Sequence, residues 1–331
     1  MALLPKNSIM FSHTDLDGIG GGILFKAALG QYAEVHYCNY DDVDEKINRV
    51  LDNIEEYEID YPFILIADLG IKPETAERLD RYYGKKRWLD HHRTNIELAS
   101  KYDWATIDTE RCGTKLVFDE FENIPRKYED FTNHVDDYDR WVHKLPKSKD
   151  LNRLLYIIGI NRFEDRFLFD ERMDFNHSEL LLLELEEENI ERYTERVAKG
   201  MTIKYTMGDK KFGIAFAEKY HSEVAHNLMN QHDLVAIALI DVNYRKISLR
   251  SKGDFNVGEI AKRLGGGGHK NAAGVSFKYG HIEDFNSRKY PLFGTYQDLK
   301  NIIYGFAYKF KRTYEDIENE ELIKMFKGEG K

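Results

Sequence analysis

Acids and histidines collect at three places in the first hundred residues. The segment Ser12-His13-Thr14-Asp15-Leu16-Asp17-Gly18 carries one His and two Asp at alternate positions; Asp68 follows an apolar run; and Asp90-His91-His92 follows another. A later stretch, His134-Val135-Asp136-Asp137-Tyr138-Asp139-Arg140-Trp141, adds further acids. A single Asp after a strand is usually a turn or capping residue, but three such events on one sheet edge point to a metal site. Carboxylate and imidazole without thiolate suit Mn2+ first, with Mg2+, Co2+ or Fe2+ as alternatives. Two ions sharing a bridging carboxylate can activate a water and stabilise both oxygens of an in-line phosphoryl displacement. The chemistry expected is hydrolysis of a phosphate ester.

Convergence of these residues requires a parallel sheet. Ser8–Phe11, Val35–Tyr40, Phe63–Ala67 and Arg87–Leu89 read as strands; Ile19–Leu29, Val43–Ile54 and Pro73–Tyr83 read as helices between them. Val43, Ile47, Val50, Leu51 and Ile54 recur at helical spacing, and Phe63–Ala67 is continuously apolar, as in a strand covered on both faces. The β-α-β rhythm predicts helices on both faces of a parallel sheet, whose carboxyl edge binds ligands. His13, Asp15 and Asp17 would point to one side if their segment stays extended. Gly18, Gly20, Gly21 and Gly22 would permit close backbone approach and offer N–H groups to an anion.

A second, smaller α/β unit is expected after about residue 200. Phe212–Ala217, Leu234–Ile240, Ile247–Arg250 and Val275–Phe277 read as strands, and Ser222–Gln231 and Val257–Leu264 as helices. Ser178–Lys199 reads as a connecting helix, and Asn301–Lys327 as a helical tail whose Tyr/Phe-rich first half packs on the second unit. The layout is 1–150 for a metal-binding catalytic domain, 151–204 for a helical connector and 205–331 for a substrate-binding domain.

Bulk properties narrow the partners. The 331 residues carry a formal net charge of −10, which disfavours long nucleic acid, and long duplexes above all. Bound divalent ions would reverse the local sign for a short anionic substrate. No apolar run is long enough for a bilayer, so no membrane partner is expected. Cys38 and Cys112 lack metal-site spacing and fit a reducing, cytoplasmic setting. A homodimer stays open.

These motifs resemble those of the DHH phosphoesterase family, whose name-giving triplet is Asp90-His91-His92 here. The first family motif resembles His13–Gly18, the second Asp68 in Ala67-Asp68-Leu69-Gly70, and the fourth the segment His134–Trp141. The resemblance implies one ion on His13, Asp15 and Asp68, and another on Asp17, Asp68, His91 and Asp139 or Asp136, with Asp139 preferred. It also implies that His92 faces the scissile phosphate and that Asp90 orients the histidines. Gly265-Gly266-Gly267-Gly268-His269 resembles the DHH-associated domain, and Leu249-Arg250-Ser251 its preceding strand end. That implies a substrate grip from Arg250, Ser251, Gly267, Gly268 and His269. Four consecutive glycines exceed the needs of one helix cap, so a backbone that meets a ligand closely is expected. The two-domain layout is most similar to nano-RNases of the B type, which shorten very small RNA oligomers. Cyclic dinucleotides, their linear products or a 3′-phosphorylated adenosine 5′-phosphate are the alternative substrates, and a metal-dependent sensor without catalysis the alternative class.

Overall fold

A computed structural model describes residues 4, 7–57, 61, 63–205, 209–276 and 306–320. They form two compact units, Met1–Leu185 and Glu186–Lys331. The first holds β1 (Ser8–His13), α1 (Leu16–Leu29), β2 (Ala33–Cys38), α2 (Val43–Tyr57), β3 (Phe63–Ala67), α3 (Pro73–Arg81) and β4 (Lys85–Asp90). It continues through α4 (Ile96–Ala99), β5 (Ala105–Ile107), α5 (Gly113–Glu120), α6 (Glu129–Asp139), α7 (Ser148–Ile158) and α8 (Ile160–Phe169) to the start of α9 (His177–Lys199).

The five strands are all parallel, in the order β2-β1-β3-β4-β5. Chain order therefore reverses between β1 and β3, and a crevice opens at their carboxyl ends. Alternate residues of each strand enter opposite cores. Met10, Phe63 and Leu65 pack with α1, α5 and α6 on one face, while Ile9, Phe11, Ile64 and Ile66 pack with α2 and α3 on the other. The helically spaced Val43, Ile47, Val50, Leu51 and Ile54 all lie buried in the second of these cores. Each fully buried aliphatic or Phe side chain contributes roughly 1.5–3 kcal/mol, so the strand ends rest on a well-anchored base.

Helix α1 is buried almost all round, and its glycines explain how. A Cβ on Gly20 would lie 2.5 Å from Thr114 Oγ1 on α5, and one on Gly22 would lie 2.1 Å from the Tyr37 hydroxyl on β2. The glycines expected to cradle an anion instead let α1 press against its neighbours. Gly18 N–H is already used, donating to Asp15 Oδ1 at 3.0 Å.

The expected connector over 151–204 does not stand apart. Leu151, Leu154 and Leu155 of α7 and Phe163 and Phe167 of α8 enter the first core, because their apolar faces have α1 and α6 to cover. The later part of α9, with Tyr193 and Val197, and the residues after it, with Met201 and Ile203, join a core of the second unit.

That second unit contains β6 (Thr202–Tyr205), β7 (Lys211–Phe216), α10 (His221–His232), β8 (Ala236–Asp241), β9 (Lys246–Ser251), α11 (Val257–Arg263), β10 (Gly267–Gly268) and β11 (Ala272–Ser276). Its sheet order is β10-β11-β9-β8-β7-β6, with only β7 and β8 parallel. Of the expected helical tail, residues 306–320 are described and helical. They bring Phe306, Phe310 and Tyr314 onto this sheet, where Phe255 stacks on Tyr314 at 4.4 Å. The remainder of that tail, and Phe277 at the end of the last expected strand, lie outside the described residues.

Candidate metal centre

The acids and histidines meet at the crevice beside β1 and β3. His13 ends β1; Asp15 caps α1; Asp17 sits in the first turn of α1; Asp68 follows β3; and Asp90, His91 and His92 end β4 and follow it. The segment from His13 to Asp17 is not extended, so alternation is not what aligns it. The chain turns from strand into helix at Asp15. Glycine at position 18 permits the turn, since a Cβ there would lie 2.2 Å from His13 O. Ser12 locks it by donating its hydroxyl to Gly18 O at 2.8 Å.

Three groups of side chains could each hold an ion: Asp68, Asp90, His91 and His92 form one, in which Asp90 is already bonded to His92, and the other two are His13, Asp15 and Asp68, and Asp17, His91 and Asp139. Asp68 stands between the latter two. Its Oδ1 is 3.3 Å from His91 Nε2, and its Oδ2 is 3.9 Å from His13 Nδ1. Oδ2 of Asp68 and Oδ2 of Asp139 are buried and find no hydrogen-bond partner among the described residues. Buried oxygens are normally satisfied, so these fit oxygen-binding divalent ions. Asp68 also holds φ at +55°, uncommon for a side chain and typical of functional sites. Trp88 anchors the loop beyond it, its Nε1–H donating to Leu69 O at 2.8 Å.

The electrostatics agree. Burial pushes the Asp68 carboxyl well above the usual range, and the negative charges of Asp17, Asp15, Asp139 and Asp90 push it further. Asp139 is raised likewise by burial and by Asp17 and Asp15. Bound cations would relieve this repulsion and favour the ionised carboxylates.

Asp136 and Asp139 separate clearly. Asp139 Oδ2 lies 3.4 Å from His91 Nε2. Asp136 turns away, accepting Cys112 N–H at 2.8 Å, and its other oxygen lies 3.5 Å from Arg140 Nη1. Asp137 accepts from the backbone N–H groups of Lys144 and Leu145 and from the Ser148 hydroxyl, fixing the loop after α6.

Several supporting residues escaped sequence reasoning. The amino end of α5 grips Asp17, with Gly113 N–H and Thr114 N–H donating to its two oxygens at 2.6 and 2.7 Å. A Cβ on Gly113 would lie 2.7 Å from Asp68 Cβ, so α5 can close on the site only with glycine there. Asn95 donates to Asp90 Oδ2 at 2.5 Å, and Tyr40 Oη lies 3.1 Å from His92 Nε2. None of these had a motif to announce it, although Cys112-Gly113-Thr114 before an apolar run is a readable helix start.

In the second unit, three of the four glycines serve the fold. Gly265, at φ +81°, and Gly266 end α11 by donating to Lys262 O and Ala261 O, the pattern of a Schellman cap. A Cβ on Gly266 would lie 2.1 Å from Gly274 O, and one on Gly268 2.5 Å from Ala273 Cα. Gly265 and Gly267 both face open space, and of the two only Gly267 lacks a left-handed φ. Ser251, expected to bind substrate, is buried and donates its hydroxyl to Phe255 O at 2.5 Å. Arg250 is half-buried, reaching Ser222 Oγ at 3.3 Å, and His269 is exposed.

A DHHA1 domain model matches residues 211–288. Oligoribonuclease NrnB of Bacillus subtilis (strain 168) is 33% identical over 297 residues, covering 81% of this chain and 72% of its own. The chain belongs to the DHH phosphoesterase family. As a DHH protein it is a metal-dependent hydrolase. A 3′,5′-cyclic-nucleotide phosphodiesterase of Helicobacter pylori (strain ATCC 700392 / 26695) is 24% identical, covering 84% of this chain and 94% of its own. In fold, the DHH domain of a member of the s1p family of ribosomal proteins superposes with a TM-score of 0.57 at 15% identity, covering 83% of this chain and 84% of that one. Among the described residues no helix is long and apolar enough to cross a membrane.

Proposed function

We propose that this DHH enzyme hydrolyses short oligoribonucleotides to mononucleotides with two divalent ions, Mn2+ first among them. The observation that carries the reading is Asp68, whose two oxygens face different ligand sets. His13, Asp15 and Asp68 would hold one ion, and Asp17, Asp68, His91 and Asp139 the other. When bound, the pair supplies water activation and charge neutralisation at the phosphorus.

The chain's own groups do the remainder. Asp90 Oδ1 accepts His92 Nδ1–H at 2.7 Å, which leaves Nε2 to meet a phosphoryl oxygen. Burial acts to lower the His92 pKa, but the Asp90 hydrogen bond and charge outweigh it, and the ring is held above its ordinary value. Asp90 thus favours the protonated ring, the form that can donate to a phosphoryl oxygen. In the second unit, Arg250, the Gly267 backbone and His269 grip a further phosphate. The chain's net charge of −10 suits a substrate of a few nucleotides rather than a long polyanion. The 33% identity to an oligoribonuclease supports the same substrate class.

Likeness to a 3′,5′-cyclic-nucleotide phosphodiesterase over most of both chains supports a second reading, with a cyclic nucleotide as substrate. The deciding experiment compares specificity constants for RNA di- to pentamers, cyclic mono- and dinucleotides, 3′-phosphorylated adenosine 5′-phosphate and pyrophosphate, each with Mn2+. Mononucleotide release from RNA oligomers, abolished in Asp68→Ala, is expected. A higher constant for a cyclic substrate installs the second reading, and preference for pyrophosphate overturns both.

A further inference from the structure

Tyr40 lies in the loop between β2 and α2, beyond any family motif, and is 52% exposed. Its hydroxyl is 3.1 Å from His92 Nε2. Its ring packs on His13 with centroids 4.8 Å apart and meets His92 edge-on at 6.0 Å. Both neighbours are site histidines, one from each side of the crevice.

The loop that carries it is fixed. Asn39 N–H is bonded to Asp42 Oδ1 at 2.7 Å, and Val43 N–H to Asn39 O at 3.1 Å. Asn39 Oδ1 also accepts the Thr14 hydroxyl at 3.2 Å, tying the loop to the His13–Asp17 turn. An exposed tyrosine normally samples several rotamers and has no reason to be held. Here the hydroxyl, the ring edge and the loop are all held, while about half the side chain stays open to solvent.

From this geometry we infer that Tyr40 is a positioning residue, a stacking platform for the nucleobase next to the phosphate at His92. An aromatic face already ordered takes up a base without further side-chain entropy cost, and stacking of this kind tolerates any base. The hydroxyl occupies the place on His92 Nε2 that a phosphoryl oxygen takes, so phosphate entry exchanges one oxygen for another while the ring keeps its place against His13. The inference rests on the nucleotide reading above and names which aromatic residue reads the base.

Equilibrium binding of adenosine 5′-monophosphate and of inorganic phosphate to the Mn2+-loaded protein, followed by calorimetry, separates the roles. In Tyr40→Ala, the nucleotide is expected to bind about 5- to 150-fold more weakly, the range that loss of one stacked base brings, with phosphate within twofold of the parent. Tyr40→Phe and Tyr40→Trp should keep nucleotide affinity within about threefold, and with short RNA the Ala variant should raise KM far more than it lowers kcat. Tyr83→Ala, an exposed tyrosine just after α3 and before β4, should change nothing. Equal weakening of nucleotide and phosphate in Tyr40→Ala, or no weakening of either, overturns the proposal. Failure of the parent to cleave any nucleotide would instead overturn the functional reading, leaving the two failures distinct.

Discussion

The buried carboxylate of Asp90 fixes the half-buried imidazole of His92, Oδ1 to Nδ1 at 2.7 Å, while Asn95 fixes the carboxylate. Burial alone would raise the Asp90 pKa, but the bonds from His92 and Asn95 outweigh it and hold it below 3.8. In the metal-free protein the raised His92 pKa contributes stability that is full below 6.5 and lost as pH rises through the folded value. The lowered Asp90 pKa contributes stability above 3.8 that is lost as pH falls through its folded value. Asp90→Asn keeps an acceptor but removes the charge. It should lower kcat roughly 10- to 100-fold and move the basic limb of the pH–rate profile to lower pH. An unmoved limb would show that His92 does not take its protonation state from Asp90.

Asp68 is placed for charge it cannot neutralise alone. Between 3.8 and its elevated folded pKa, the native state holds a proton that the unfolded chain has released, so the metal-free protein loses stability as pH rises through that window. Asp68→Asn removes the charge, and asparagine tolerates the left-handed backbone at φ +55°. Scanning calorimetry in chelator at pH 7 should therefore give a Tm at or above the parent's. Mn2+ at 100 times its Kd should stabilise the parent by about 2.7 kcal/mol per site, and the variant far less. A variant that gains as much from Mn2+ as the parent does would remove Asp68 from the ligand set.

How much of this was legible follows from where each signal lives. The strand-end acids could be read because a parallel sheet brings carboxyl ends together whatever lies between. Asp17 and Asp139 came with their neighbours, although the turn at Asp15, not strand alternation, aligns the first group. The grip of α5 on Asp17 was illegible: it depends on backbone N–H groups, and every residue has one. Tyr40 was one of 40 Tyr and Phe residues, and only tertiary contact distinguishes it. The glycine run was misread in part, because a helix cap and a tight hairpin each consume glycines for reasons of packing.

The choice between the two acids of α6 has a direct test. Asp139→Ala should lower the bound Mn2+ from two ions per chain to one, measured by equilibrium dialysis with metal analysis. Its metal-free stability should hold or rise, since a carboxyl raised by burial and by Asp17 and Asp15 has gone. Asp136→Ala should keep both ions and lose about 1 kcal/mol, because Cys112 N–H then lacks its acceptor. The reverse pattern of stoichiometries would exchange the two assignments.

Gly267 and Gly268 are neighbours with opposite reasons for being glycine, so substituting each in turn separates folding from binding. Gly268 holds φ at +137°, and a Cβ there would meet Ala273 Cα at 2.5 Å, backbone that cannot step aside without parting β10 from β11. Gly268→Ala should cost about 1–3 kcal/mol, read as a lower urea midpoint. Gly267 is exposed, with nothing within 4 Å of the added methyl. Gly267→Ala should leave the urea midpoint unchanged, because no contact is broken or strained. If its backbone meets a substrate phosphate, the methyl stands in the substrate's way, and KM for short RNA should rise several-fold with kcat little changed. A Gly267→Ala enzyme with the parent's KM would confine the glycine run to its structural role and leave Arg250 and His269 to hold the phosphate alone.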